Sequence, residues 1–313
     1  MSSSFRGWCL LLLVTSFVSS GCSLRRVAAG KVGDLMASGG SGWSSDEDPE
    51  LVREALPFSL KLMESLAAEA PQHAGLQVAL CRGFTSYAAG FLEPDAERIE
   101  SADFDRAETI RRRAAKMHLR ARGHCFAAME IVQEGSREEL LRDPDRALAR
   151  FGAGDLELLY WTGASWGSAI SLALDRPDLV ADLPTVRAIF ERALTLGPDW
   201  DRGALHEAMI VFDSMPAMMG GSYERARAHF ERAVELSGGL RASPFVTWAR
   251  SSAVARQDRR EYREALDRAL AIDPEVTPAD RLSNLISRAR ATTLLSRIDD
   301  FFFVAEDEPA ATE

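Results

Sequence analysis

The stretch FERAVELSGG, residues 230–239, says nearly what the chain has already said in FERALTLGP, residues 190–198. A third, looser form, LDRALAIDP, occupies residues 266–274. Three positions are kept in each copy: Phe190, Ala193 and Pro198; Phe230, Ala233 and Gly238; Leu266, Ala269 and Pro274. They stand at offsets 0, +3 and +8, and the copies begin 40 and then 36 residues apart. Offsets of three place two side chains one above the other on a helix. The bulky residue can wedge between two helices, and the alanine leaves room for a neighbour's backbone. Pro or Gly then ends the helix. A single helix pair cannot bury its apolar face alone, so such pairs stack. A tetratricopeptide repeat, roughly 34 residues long, carries A-x3-F-x2-A-x4-P in its second helix. Ala226 supplies the leading alanine of the middle copy; Val186 and Tyr262 stand there in the others.

The expected fold class is therefore all-α: an α-solenoid-like helical bundle with about three repeat-like hairpins in its C-terminal half. The hairpins are expected near 155–198, 201–239 and 244–274, inside one helical domain of residues 49–302. Working outward, apolar residues at helical spacing predict helices near 50–69, 73–91, 103–134, 155–174 and 279–298. Asp46-Glu47-Asp48-Pro49 offers capping carboxylates and a proline at a helix entry. The first long helix is expected to bury Leu51, Ala55, Phe58, Leu62 and Leu66 as one stripe. A turn is expected at Pro94-Asp95, and the acidic stretch 303–313 reads as a disordered tail.

Composition agrees and narrows the function. Of 313 residues 46% are hydrophobic but only 8% aromatic, which favours helices and a sizeable core. A formal net charge of −10 argues against a nucleic-acid partner. The basic run Arg111-Arg112-Arg113 with Lys116, Arg120 and Arg122 falls on a helix and reads as a solvated or ion-paired face.

The first 21 residues read as a lipoprotein signal peptide. Arg6 gives a positive start, and residues 8–14 form an apolar core too short for a comfortable permanent span. Val18-Ser19-Ser20-Gly21-Cys22 then resembles a bacterial lipobox, with Ser19 where Leu is usual. Cleavage before Cys22 would leave that cysteine as the lipidation site. Residues 22–48 would serve as tether and first helix. Ser23 after the cysteine points to the outer membrane, on its periplasmic side. Cys81 and Cys125 remain, and nothing in their spacing decides between a bridge and two buried thiols.

No enzyme is expected. His206-Glu207-Ala208-Met209-Ile210 begins like a zinc-protease helix but has Ile210 where the second histidine belongs. His118 and Cys125 share a helix face, and two ligands on one helix do not close a zinc site. Gly152-Ala153-Gly154 lacks the preceding strand and the third glycine of a dinucleotide loop. No metal or other cofactor is expected. Trp161 and Trp166, about 140° apart around a helix, cannot both face one neighbour. Together with the soft, adaptable Met215, Met218 and Met219 they are candidates for a ligand groove or a partner-facing lip.

One long stretch resembles a known family. Pro216-Ala217-Met218-Met219-Gly220-Gly221, running on through Ala226 and Phe230 to Ala233, resembles the P-x3-G-G-x4-A-x3-F-x2-A core of the T component (TatT) of TRAP transporters. These are the tripartite ATP-independent periplasmic uptake systems. Tyr160-Trp161-Thr162-Gly163-Ala164-Ser165-Trp166-Gly167 is similar to that family's aromatic-and-glycine helix. Pro244 to Ala249, Gln257-Asp258-Arg259 and Leu282 to Ile298 resemble its later helices, so the likeness covers about residues 22–302. The resemblance implies a lipid-anchored periplasmic protein with tetratricopeptide-like repeats, a homotrimer docked to a TRAP solute-binding protein. It also implies an apolar passage or cleft in each protomer for a small organic acid or a hydrophobic ligand. A scaffold lipoprotein recruiting envelope-assembly or peptidoglycan enzymes is the other reading of such repeats. On the lipobox reading, Cys22→Ser is expected to leave the protein without acyl label and to move it from the membrane to the soluble periplasmic fraction. Metabolic labelling and fractionation check this.

Overall fold

The computed structural model describes residues 30–35 and 40–303. The signal peptide, Cys22 and the acidic tail beyond 303 lie outside the described residues, which are helical and contain no strand. After a short helix α1 (Gly40–Ser44) come α2 (Pro49–Glu69), α3 (Ala74–Tyr87), α4 (Glu93–Ile99) and the long α5 (Phe104–Val132). Two short helices, α6 (Ser136–Arg142) and α7 (Pro144–Leu148), lead to α8 (Leu156–Ser171), α9 (Pro177–Val180) and α10 (Leu183–Leu196). The chain closes with α11 (Ala204–Asp213), α12 (Tyr223–Leu236), α13 (Ser243–Trp248), α14 (Arg259–Ala271) and α15 (Arg281–Ser296).

The helix starts follow from the sequence chemistry. Asp48 Oδ1 accepts from the backbone N–H of Glu50 and of Leu51, each at 3.0 Å, with Pro49 in the first turn of α2. Asp103 and Asp258 do the same for α5 and α14. Two details differ from expectation. The stripe Leu51, Phe58 and Leu62 of α2 faces outward, with Phe58 73% exposed, and a second stripe of Val52, Leu60, Met63 and Ala67 is buried instead. α2 is apolar on two faces, so periodicity alone could not choose between them. Nor does the chain turn at Pro94. It passes through a π-helical turn, Ala88–Leu92, directly into α4. The wide turn shifts the hydrogen-bond register just before Pro94, which has no N–H to donate back into the helix. A second π turn, Ala249–Ala253, continues α13.

α3, α5 and α8 pack together as the central layer. Cys81 on α3 and Cys125 on α5 are disulfide-bonded, with Cα atoms 5.4 Å apart. The alternatives left open by the spacing thus resolve to a bridge. α8 pairs with α10, α11 with α12, and α13 with its π turn pairs with α14, which in turn meets α15. Phe190, Ala193, Ala233, Leu266 and Ala269 are buried, while Phe230 is half-buried, with its ring stacked 4.7 Å from that of Trp248.

In two of its three copies the repeated phrase meets a glycine. The Phe190 ring rests on Gly163 of α8: a Cβ there would lie 2.7 Å from the ring. Ala233 receives the backbone of Gly203, where a Cβ would come 2.9 Å from the Ala233 Cα and φ is +99°. Gly203 therefore answers two demands, a left-handed conformation and a close approach. The notched alanine thus accommodates the connector entering α11, a neighbour the repeat pattern did not specify. Gly163→Ala is expected to lower stability by about 1–3 kcal/mol through overpacking. Gly123→Ala on the exposed face of α5 has nothing within 4 Å of the new Cβ. It is expected to raise stability by about 0.5–1 kcal/mol. Denaturant melts of the two variants measure both signs.

Candidate functional site

Where α2, α3 and α8 face α11, α13 and α15, the packing leaves a cleft of about 890 Å³. One wall is apolar: Leu56, Leu60 and Met63 of α2 with Trp161 and Ala164 of α8. Leu60 reaches the wall over Gly83, where a Cβ would lie 2.5 Å from its Cδ2. The other side comes from α11, α13, α15 and the second π turn and carries polar groups, Glu207, Ser243, Thr247, Arg250 and Arg290, among the apolar Val246, Leu282 and Ile286. Ser243, Thr247 and Arg250 follow one another at helical spacing along α13 and its π turn, so one face of that rod carries all three into the cleft.

Glu207 of α11 stands opposite them. Its Oε2 accepts the Ser243 hydroxyl at 2.8 Å and its Oε1 the Thr247 hydroxyl at 2.9 Å. Burial pushes its carboxyl above the ordinary carboxylate range, against the two hydroxyls and the charge of Arg241. Tyr160, beside it on the lining, is pushed up as well, by burial and then by the Glu207 charge. Its ring lies 5.0 Å from Trp161 and 4.9 Å from Trp200.

Five arginines reach the lining, and each is held by a carboxylate. Arg82 bonds Glu157 at 2.7 Å. Arg202 and Arg241 share Asp280, and Arg241 also holds Asp201 at 2.7 Å. Arg250 donates to Glu97 at 2.7 Å, and Arg290 holds the same carboxylate through its Nε at 2.8 Å. Glu93, one helical turn before Glu97, bonds His118 Nε2 at 2.8 Å. Burial alone would raise the Glu93 carboxyl. The bond to His118 and the charges of Arg290 and Arg250 more than reverse this and hold it at about 2. Glu97 and Glu93 raise Arg290 against its own burial.

The candidates named from sequence scatter. Trp161 lines the cleft. Trp166, on another side of α8, is fully buried with its ring edge-on to Phe126 at 5.2 Å. Met215 is half-buried against the core, and Met218 and Met219 are 94% and 51% exposed on a 3-10 turn, Ala217–Met219. None of the three methionines lines the cleft. Glu207 was met in the sequence only as part of an incomplete metal motif. Ser243 and Thr247, four apart with Arg250 three further on, were the pattern that could have pointed to it. His206 turns away and pairs with His229, Nδ1 to Nδ1 at 2.8 Å. Of the basic run on α5, Arg111 bonds Glu108 at 2.5 Å and Arg113 the Tyr87 hydroxyl at 3.3 Å, an ion-paired and hydrogen-bonded face.

The family model described as "TRAP transporter T-component" matches residues 45–302, which takes in every cleft-lining segment except Trp43 and Ser44 at its edge. The chain belongs to the TRAP transporter T-component family. A protein of Treponema pallidum (strain Nichols), named only as an uncharacterized protein, is 30% identical over 317 residues, covering 94% of this chain and 97% of its own length. A T-component serves TRAP transport in an accessory role. Among the described residues no helix is long and apolar enough to cross a membrane.

The buried cluster behind the polar wall gives this T-component a testable acid response. A carboxyl whose folded value is depressed contributes stability above its unfolded value, and that contribution fades as pH falls towards the folded value. Glu93→Gln is therefore expected to cost on the order of 3 kcal/mol at pH 7. The difference from wild type should shrink between about pH 5 and pH 2, the window set by the depressed Glu93. Denaturant titrations across that range, followed by circular dichroism, read it directly.

Proposed function

We propose that this chain is a non-catalytic, lipid-anchored accessory protein on the periplasmic side of the envelope. It docks the solute-binding protein of a TRAP system and holds a small molecule in its central cleft. The observation that carries the reading is the cleft itself, about 890 Å³ with one apolar and one hydrogen-bonding wall. That is the size and character of a small-molecule site. Its lining falls almost wholly within the region shared with the family. The ligand classes implied by the family resemblance, a small organic acid or a hydrophobic molecule, divide on this geometry: the wall of Leu56, Leu60, Met63 and Trp161 suits an apolar body.

Docking is assigned to the turn that carries Met218 and Met219, the most exposed of the sequence candidates. Methionine adapts to a partner's surface and is enriched at interfaces. The helix pairs from α8 to α14 serve as tetratricopeptide-like repeats, and three copies of the chain assemble around the docked partner. Affinity purification of the full-length, lipidated chain from native envelope tests this. Recovery of a TRAP solute-binding protein is the expected outcome, with recovery reduced at least tenfold by Met218→Ser with Met219→Ser. Recovery of murein or outer-membrane assembly factors in its place would favour the scaffold reading and overturn this one.

A further inference from the structure

The polar wall has an imbalance. Arg82, Arg202, Arg241, Arg250 and Arg290 would at first sight recommend an anionic ligand, but each is engaged by a carboxylate of this chain. Of the three carboxylates on the lining, Asp201 and Asp280 are paired with arginines. Glu207 meets only the two hydroxyls. The cation that bears on it, Arg241, is itself held by Asp201 at 2.7 Å and Asp280 at 3.1 Å.

A carboxylate out of bulk water without a counter-ion is costly, and a cation brought to it recovers much of that cost. An ionised carboxylate offers about four acceptor positions. Ser243 and Thr247 occupy one on each oxygen of Glu207, which leaves room for the N–H donors of an ammonium group. Tyr160, close enough to Glu207 to feel its charge, stands on the same lining, and aromatic faces attract ammonium ions. Leu56, Leu60 and Met63 line the same cleft, so a ligand that fills it needs an apolar body and one charged end.

We infer that the cleft takes an amphipathic organic cation, a primary ammonium on an apolar body, with the Glu207 carboxylate as its counter-ion. The inference rests on the cleft being the ligand site of the proposed accessory function, and it names the charge of that ligand. Three probes of equal length separate the charge classes: hexylammonium, hexanoate and hexanol, titrated calorimetrically at pH 7.5 into the full-length purified protein. Trp43 and Trp161 on the lining provide an independent fluorescence signal. Hexylammonium is expected to bind at least tenfold tighter than either of the others. Glu207→Gln keeps groups able to bond Ser243 and Thr247. It is expected to reduce that affinity at least tenfold and to weaken hexanol binding far less, since hexanol carries no charge for the carboxylate to match. Wild-type hexanoate binding as tight as that of hexylammonium overturns the inference. So does the absence of hexylammonium binding, or an unaltered affinity in the variant. Recovery of the solute-binding protein is scored separately, so a failure of the ammonium probe with that partner still recovered sinks only the ligand assignment.

Discussion

The Phe190 ring lying on Gly163 sets the rotation of α8, and that rotation decides what the centre of the molecule offers. With Gly163 turned to α10, positions 160, 161, 164 and 168 are carried round to another side of the helix, at about 100° per residue. Those four positions line the cleft. Trp166 swings the other way, onto Phe126 of α5. A side chain at Gly163 would force the two helices apart or turn one about its axis, and either movement would take Tyr160 and Trp161 out of register with Glu207. The wedge is therefore a packing constraint that shapes the cleft one turn away.

The opposite wall is organised by charge and by two interruptions in helical regularity. Both π turns border the cleft: Gly90 and Phe91 come from one and Arg250 from the other. A π turn rotates all that follows it relative to a regular helix. Here the first carries α4 round so that Glu93 and Glu97 reach Arg290, and the second sets Arg250 against the same Glu97. The cluster joins α4, α13 and α15, elements far apart in the chain, and His118 of α5 completes it. Such buried networks favour one arrangement because each member left alone would be a desolvated charge.

Much of the fold was legible because its signals are local. The repeated phrase located α10, α12 and α14, and Asp48, Asp103 and Asp258 marked helix starts. What was misread or left open has a common cause. α2 carries two apolar stripes, and only tertiary contact decides that Leu60 and Met63 go in while Leu51 and Phe58 stay out. The π turns have no sequence mark of their own, since the residues of Ala88–Leu92 would fit a regular helix equally well. The Cys81–Cys125 bridge depends on a distance between two helices, which one-dimensional spacing does not hold.

The cleft was the least legible part, and Glu207 shows why. In the sequence it follows His206 and invites a metal reading that fails at Ile210. Its real partners lie 36 and 40 residues on, in another helix pair. Neither hydroxyl is distinctive by itself, and a serine and a threonine four apart are commonplace on a helix. What makes the carboxyl unusual is a subtraction: the other charges on the lining are already matched by opposite charges of this chain. A sequence displays the eleven-odd charges that gather there but not which are neutralised. Glu207 is the lining charge that the pairing leaves with hydroxyls and no opposite charge on it.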